Sequence, residues 1–150
     1  MVKILHQICL IPNGKPQPPE HMGFITKVHL PTQFKNDSVW GKLYNHYAVL
    51  DSRGLCPLGW RIPTDSDWNV LIKSLDPQAD TAATTTVQTQ STTAGGSLKS
   101  NRNQPTSGGW NSPNTGATNL SGFSGLPSGY RTDGGTFNSA GNFGNWWSIS

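Results

Sequence analysis

Acid is scarce in this chain of 150 residues. Glu20 is the only glutamate, and Asp and Glu together number 8 against 11 Lys and Arg. Charged residues make up 13%, about half the usual share. The resulting net charge of +3 comes with no basic run, so nothing marks a dedicated nucleic-acid binder. No apolar run is long enough to span a bilayer. Cysteine occurs twice, at Cys9 and Cys56. One bridge at most excludes a disulfide scaffold, and two thiols alone make a poor zinc site. Helix formers are thin as well. Gly, Ser, Thr and Asn supply 59 of the 150 residues, which excludes coiled coils and helical bundles. Six Trp, five Phe and three Tyr nevertheless supply core material, which a disordered chain lacks.

The apolar stretch Met1–Ile11 is broken by His6 and Gln7, and no small-residue cleavage site follows. It is a poor signal peptide, so an export signal has been removed, export uses another route, or the chain stays inside. Residues 1–36 are predicted to be an irregular N-terminal arm. Pro12, Pro16, Pro18, Pro19 and Pro31 punctuate it, and Pro16–Pro19 favours an extended segment. Val2–Ile11 and Phe24–Leu30 are each compatible with one strand. A domain is expected over 37–150. Trp40–Leu50 is aromatic and β-prone, and Cys56–Pro63 is a rigid, turn-bearing approach to a helix.

That helix is the clearest local signal, predicted at about 64–75. Thr64 is a good N-cap, and Asp67 three residues later completes a capping-box pattern. Asp65 and Asp67 sit in the first turn, where the helix dipole favours them. Trp68, Leu71, Ile72 and Leu75 form one apolar stripe, which places Trp68 in the core. Pro77 stops the helix. Residues 79–94 hold seven Thr and no aromatic, the composition of a solvated insertion. From Ala94 onward, Gly and Asn recur between single aromatics: Trp110, Phe123, Tyr130, Phe137, Phe143, Trp146 and Trp147. Long ordered loops and short strands are expected there, with the aromatics as core pegs.

Several segments resemble, in order, the Fibrobacter succinogenes major paralogous domain family. They are Gly41–Val49, Leu55–Trp68, Ala94–Lys99, Trp110–Asn119, Ser121–Arg131 and Gly144–Ser148. Many motifs in order are far more specific than any one alone. Arg61–Trp68 is also similar to the helix-leading motif of formylglycine-generating-enzyme-like domains. The resemblance implies an α+β, C-type-lectin-like fold with one main helix, a small twisted antiparallel sheet and long ordered loops. It also implies a bacterial domain that is extracellular or at the cell surface. Two departures stand out. The family's strands after the Trp-Trp-Ser segment, which carry the expected partner of Cys56, are not in this sequence. The Thr-rich stretch is longer than the family's usual connection. A truncated domain is therefore expected, with an unfinished edge near Trp147 open to strand pairing from another chain.

The chemistry points to binding. Trp60, Trp68, Trp110, Trp146 and Trp147 are candidates for a sugar-stacking platform, with neighbouring amides and hydroxyls holding sugar hydroxyls. Core and corner roles are the plainer reading, since large aromatics are mostly buried. Asn111, Asn114, Thr115, Asn119 and Ser121 form an oxygen-rich cluster. Calcium is the one cofactor this brings into view, but calcium prefers carboxylates and the stretch has none. Turn-stabilising bonds explain the cluster better. Asp65 and Asp67 point to different sides of a helix, and capping already accounts for them. No histidine has metal-ligand spacing, no thiol follows Cys56 to support an oxidase copper site, and no phosphate-cradling loop occurs.

No catalytic or metal residues are therefore expected. The expected ligand-binding set is Trp110, Asn111, Asn114, Asn119, Tyr130, Arg131, Asn145 and Trp146. The expected function is a non-catalytic, surface-exposed adhesion module whose loops recognise a glycan or a surface protein. The alternative is a building block of a cell-surface or phage-tail assembly, completed by strand addition.

Overall fold

The computed structural model describes residues 39–82 and 89–149. The predicted arm, with its two candidate strands, lies outside the described residues, as does the middle of the Thr-rich stretch. The described elements are α1 (His46–Val49), α2 (Asp65–Leu75), α3 (Ala94–Leu98), β1 (Tyr130–Arg131) and β2 (Phe137–Asn138). The architecture is α+β, with one main helix, a two-stranded antiparallel sheet and long connecting loops.

α2 forms where the local signals put it. The Thr64 side chain accepts from the Asp67 N–H at 3.2 Å, and the Asp67 carboxylate accepts from the Thr64 N–H at 2.7 Å. Two orphan donors of the first turn are thus satisfied. Arg61 grips the same carboxylate with both terminal nitrogens. The helix ends at Asp76, which is extended and precedes Pro77. Its apolar stripe faces inward without full enclosure. Trp68, Leu71, Ile72 and Leu75 are all half-buried, while Val70, Lys73 and Ser74 are exposed.

α1 departs from the β-prone pattern of Trp40–Leu50. The Asn45 side chain caps it by accepting from the Ala48 N–H at 2.9 Å, and Val49 is buried. One cap and one buried anchor outweigh the β propensity of a four-residue segment. α3 is a helix of Ala-Gly-Gly-Ser-Leu, a composition that opposes helix formation. Tertiary contacts hold it. Ala94 is buried, α3 packs on α2, and the carbonyls of Gly96 and Ser97 accept from the Thr118 and Ser121 N–H groups. A Cβ on Gly96 would run into the Gly116 carbonyl, so the glycine lets this crossing be close.

The interior is a chain of aromatics rather than a broad core. Phe123 meets Trp68 edge-on at 6.0 Å and Trp146 edge-on at 5.3 Å between ring centroids. Pro63 and Pro127 are the largest fully buried side chains among the described residues. The last described segment is tied across the molecule. Trp147 Nε1 donates to Tyr44 O at 3.1 Å, Trp68 Nε1 to Trp147 O at 3.2 Å, and Ile149 N–H to Pro63 O at 2.9 Å. Ser148 is partnered too. This segment is thus bonded back to the chain at three points.

The sequence allows one bridge at most, and the state of Cys56 is now settled. It is disulfide-bonded, and the one other cysteine of the sequence, Cys9, lies outside the described residues. The feet of the Thr-rich stretch are clamped together. Asp80 N–H donates to Gln90 O at 2.8 Å, and Ser91 Oγ to the Asp76 carboxylate at 2.6 Å. That second bond, more than any other, holds the Asp76 carboxyl below the usual carboxylate range.

Candidate functional site

The eight sequence-predicted binding residues divide between two regions. Trp110, Asn114 and Asn119 belong to loops packed around α3. Trp110 is buried, at 8% exposure, and its Nε1 donates to Gly125 O at 3.0 Å. The Lys99 ammonium lies 4.8 Å from its ring centroid. A ring so enclosed and so bonded is structural, not a stacking platform. Asn114 Nδ2 donates to Ser100 O at 3.0 Å. Asn119, at φ 51, closes a turn by exchanging bonds with Ser124, giving from Nδ2 at 2.8 Å and accepting from the Ser124 N–H at 2.7 Å. This is local turn chemistry of the kind that competes with regular structure.

Calcium fits this region poorly. The donors are neutral amides and hydroxyls, and the Lys99 ammonium already occupies the Thr115 carbonyl at 3.1 Å. A fixed ammonium there opposes a second cation.

Asn111, Tyr130, Arg131 and Asn145 come together around the β1–β2 hairpin. Asn111 N–H donates to Gly141 O at 2.8 Å, and its side-chain amide donates to Asn142 Oδ1 at 3.1 Å. Asn145 Nδ2 donates to Gly129 O at 3.1 Å. Gly129 N–H donates in turn to Phe143 O at 2.7 Å. Pro127 O accepts from Gly141 N–H, and Ser139 O accepts from Asn142 N–H and Phe143 N–H. The loops are therefore stitched to one another by main-chain bonds, which gives the face a fixed shape without regular structure. Trp146 lies behind it, half-buried against Phe123 and close to Gly125 and Gly144. It is a wall of the interior rather than a ligand face.

The exposed aromatics of these loops are Phe137 and Phe143, at 60% and 58% exposure. Both were expected to be core pegs. β2 turns Phe137 outward, opposite Arg131 in the strand register. Phe143 sits on the loop that returns to Gly129. A family model, the Fibrobacter succinogenes major domain, matches residues 17–150. The chain belongs to this family. No curated protein and no solved structure matches it.

In this Fibrobacter succinogenes major domain, the exposed surface of these loops thus differs from the eight predicted residues. Asn111 and Arg131 remain on it, while Phe137, Asn142 and Phe143 are additions. One signal for them exists in the sequence. Thr132-Asp133-Gly134-Gly135-Thr136 has the residues of a tight hairpin turn. Pairing outward from that turn places Arg131 against Phe137 on one face. Nothing comparable marks Phe143, whose exposure depends on a loop path set by distant hydrogen bonds.

Residues 94–149 contain neither His nor Cys, and Asp133 is their one acid. The ion pairs recorded among the described residues, Arg53–Asp51 and Arg61–Asp67, lie on the helical side of the chain. In each pair the arginine, through its side-chain hydrogen bond, holds the aspartate well below the usual carboxylate range. Both pairs are spent on turns and caps.

Proposed function

We propose that the domain is a non-catalytic, surface-exposed binding module that recognises a glycan through the loop face around Asn111, Phe137 and Phe143. The observation that carries this reading is the pair of exposed phenylalanines on a framework fixed by main-chain bonds. Leaving a phenyl ring in water forgoes roughly 1.5–3 kcal/mol of burial. A rigid aromatic presented this way recovers part of that on binding and loses little entropy in doing so. The amides of Asn111 and Asn142 beside the loop supply polar contacts suited to sugar hydroxyls.

Other features support the same reading. The face lacks the paired acids, nucleophile and base that hydrolytic chemistry needs. A disulfide at Cys56 fits an oxidising compartment, and so an extracellular or cell-surface location for an adhesion domain. One main helix, a small antiparallel sheet and long ordered loops support a C-type-lectin-like architecture.

A panel of immobilised saccharides tests the proposal. Wild type is expected to give saturable binding to one or more of them. F137A or F143A is expected to weaken it by roughly five- to tenfold, the loss of about 1 kcal/mol of aromatic contact. A cooperatively folded chain that binds no saccharide, or whose binding survives both changes intact, overturns it. Capture of a protein partner with the same dependence on the two rings replaces the glycan with a protein ligand.

A further inference from the structure

Resting on that reading, we propose that Arg131 and Phe137 form a subsite for an acidic sugar, the uronic acid residue of a polysaccharide. The hairpin register sets Arg131 directly opposite Phe137. Arg131 Nε donates to Gly135 O at 3.1 Å, which folds the side chain back over the turn. Its guanidinium carbon then lies 5.7 Å from the Phe137 ring centroid. Gly135 makes this possible in two ways. Its φ of +88 closes the turn, and a Cβ there would stand 3.0 Å from Arg131 Nη2. One nitrogen is therefore pinned and the guanidinium carbon is held over the ring, while Nη1 and Nη2 have no hydrogen bond or ion pair among the described residues.

A guanidinium held in this way is prepared for a carboxylate. Its remaining N–H fork matches two carboxylate oxygens, and fixing Nε in advance reduces the entropy lost on binding. The wider charge pattern agrees. Residues 94–149 carry Lys99, Arg102 and Arg131 against the single acid Asp133, so the loop side favours an anionic ligand. Phe137 sets the chemical class. An exposed ring beside the fork offers contact to the C–H face of a pyranose. A uronic acid presents such a face and a carboxylate on one ring, whereas an acidic peptide presents the carboxylate on a flexible chain.

The experiment is titration calorimetry of the full chain with polygalacturonate, its methyl ester, a neutral mannan and poly-glutamate. It is run on wild type, R131Q, R131K and F137A, each first shown to melt cooperatively. Wild type is expected to bind polygalacturonate at least tenfold more tightly than the methyl ester. R131Q removes that preference, R131K keeps only part of it because the fork is gone, and F137A weakens both polymers. Equal affinity for the acid and the ester, or a preference unchanged in R131Q, overturns the subsite while leaving glycan binding standing. Poly-glutamate bound as tightly as polygalacturonate overturns it too, since charge alone then suffices. Failure of all three polysaccharides to bind overturns the subsite, and the glycan reading beneath it is then decided by the saccharide panel.

Discussion

Asp67 carries the heaviest duty of any single residue on the helical side. Its carboxylate accepts from the Thr64 N–H and hydroxyl and from both terminal nitrogens of Arg61. These bonds, Arg61 foremost, hold it well below the usual carboxylate range. A carboxyl depressed in the folded state adds stability that is fully present above the ordinary carboxylate pKa. That stability drains as the pH falls through about 4 toward the depressed value. D67N is therefore expected to lower the melting temperature at neutral pH and to flatten its decline in acid. T64A, which removes the cap and the hydroxyl's bond to Asp67, is expected to cost about 1 kcal/mol. Thermal melts by circular dichroism over an acid series check both, and an unchanged acid slope in D67N contradicts the assignment. This duty was legible in the sequence because Thr64, Asp65, Asp67 and Pro77 are local signals, each acting within one turn. The fate of Trp110 was not. Its spacing is the same whether the ring lines a cleft or fills the interior, and the Gly125 carbonyl that claims its indole is fifteen residues away.

At the scale of elements, the short helices show propensity yielding to contact. α3 contains two adjacent glycines with opposite duties. Gly95 has open space where a Cβ would go, while Gly96 faces the Gly116 carbonyl. Alanine is the better helix former by about 1 kcal/mol. G95A is therefore expected to stabilise the domain by up to that amount, and G96A to destabilise it by roughly 1–3 kcal/mol through overpacking. Urea unfolding of the two variants decides this, and stabilisation by both contradicts the packing of α3 against the 116–121 loop. Such a helix is hidden from sequence inspection because no cap or periodic stripe announces it. α1 is hidden in another way, since aromatic residues around Asn45 read as strand until the cap is seen. The β1–β2 hairpin lies between these cases. Its turn residues were visible, but their consequence for Phe137 follows only once the register is drawn.

For the whole molecule, the charges and the aromatics are sorted to different places. The helical side spends its ion pairs on a cap and a turn, and the largest rings join it to the loop side through Trp68, Phe123 and Trp146. The loop side keeps a stitched polar surface with two phenyl rings left in solvent. The α+β class and the family were legible because long motifs recur in order. The proposed binding face was only half legible, since exposure of a loop residue depends on chain paths that no local pattern encodes. The proposed function stands or falls on where a saccharide touches this domain. Amide chemical-shift mapping of the isotopically labelled chain, against the saccharide that binds best on the panel, locates that contact directly. Perturbations concentrated at Asn111, Arg131, Phe137, Asn142 and Phe143, with α2 unmoved, are the predicted result. Perturbations centred on α2 or on the loops around α3, or none with any saccharide, would contradict it.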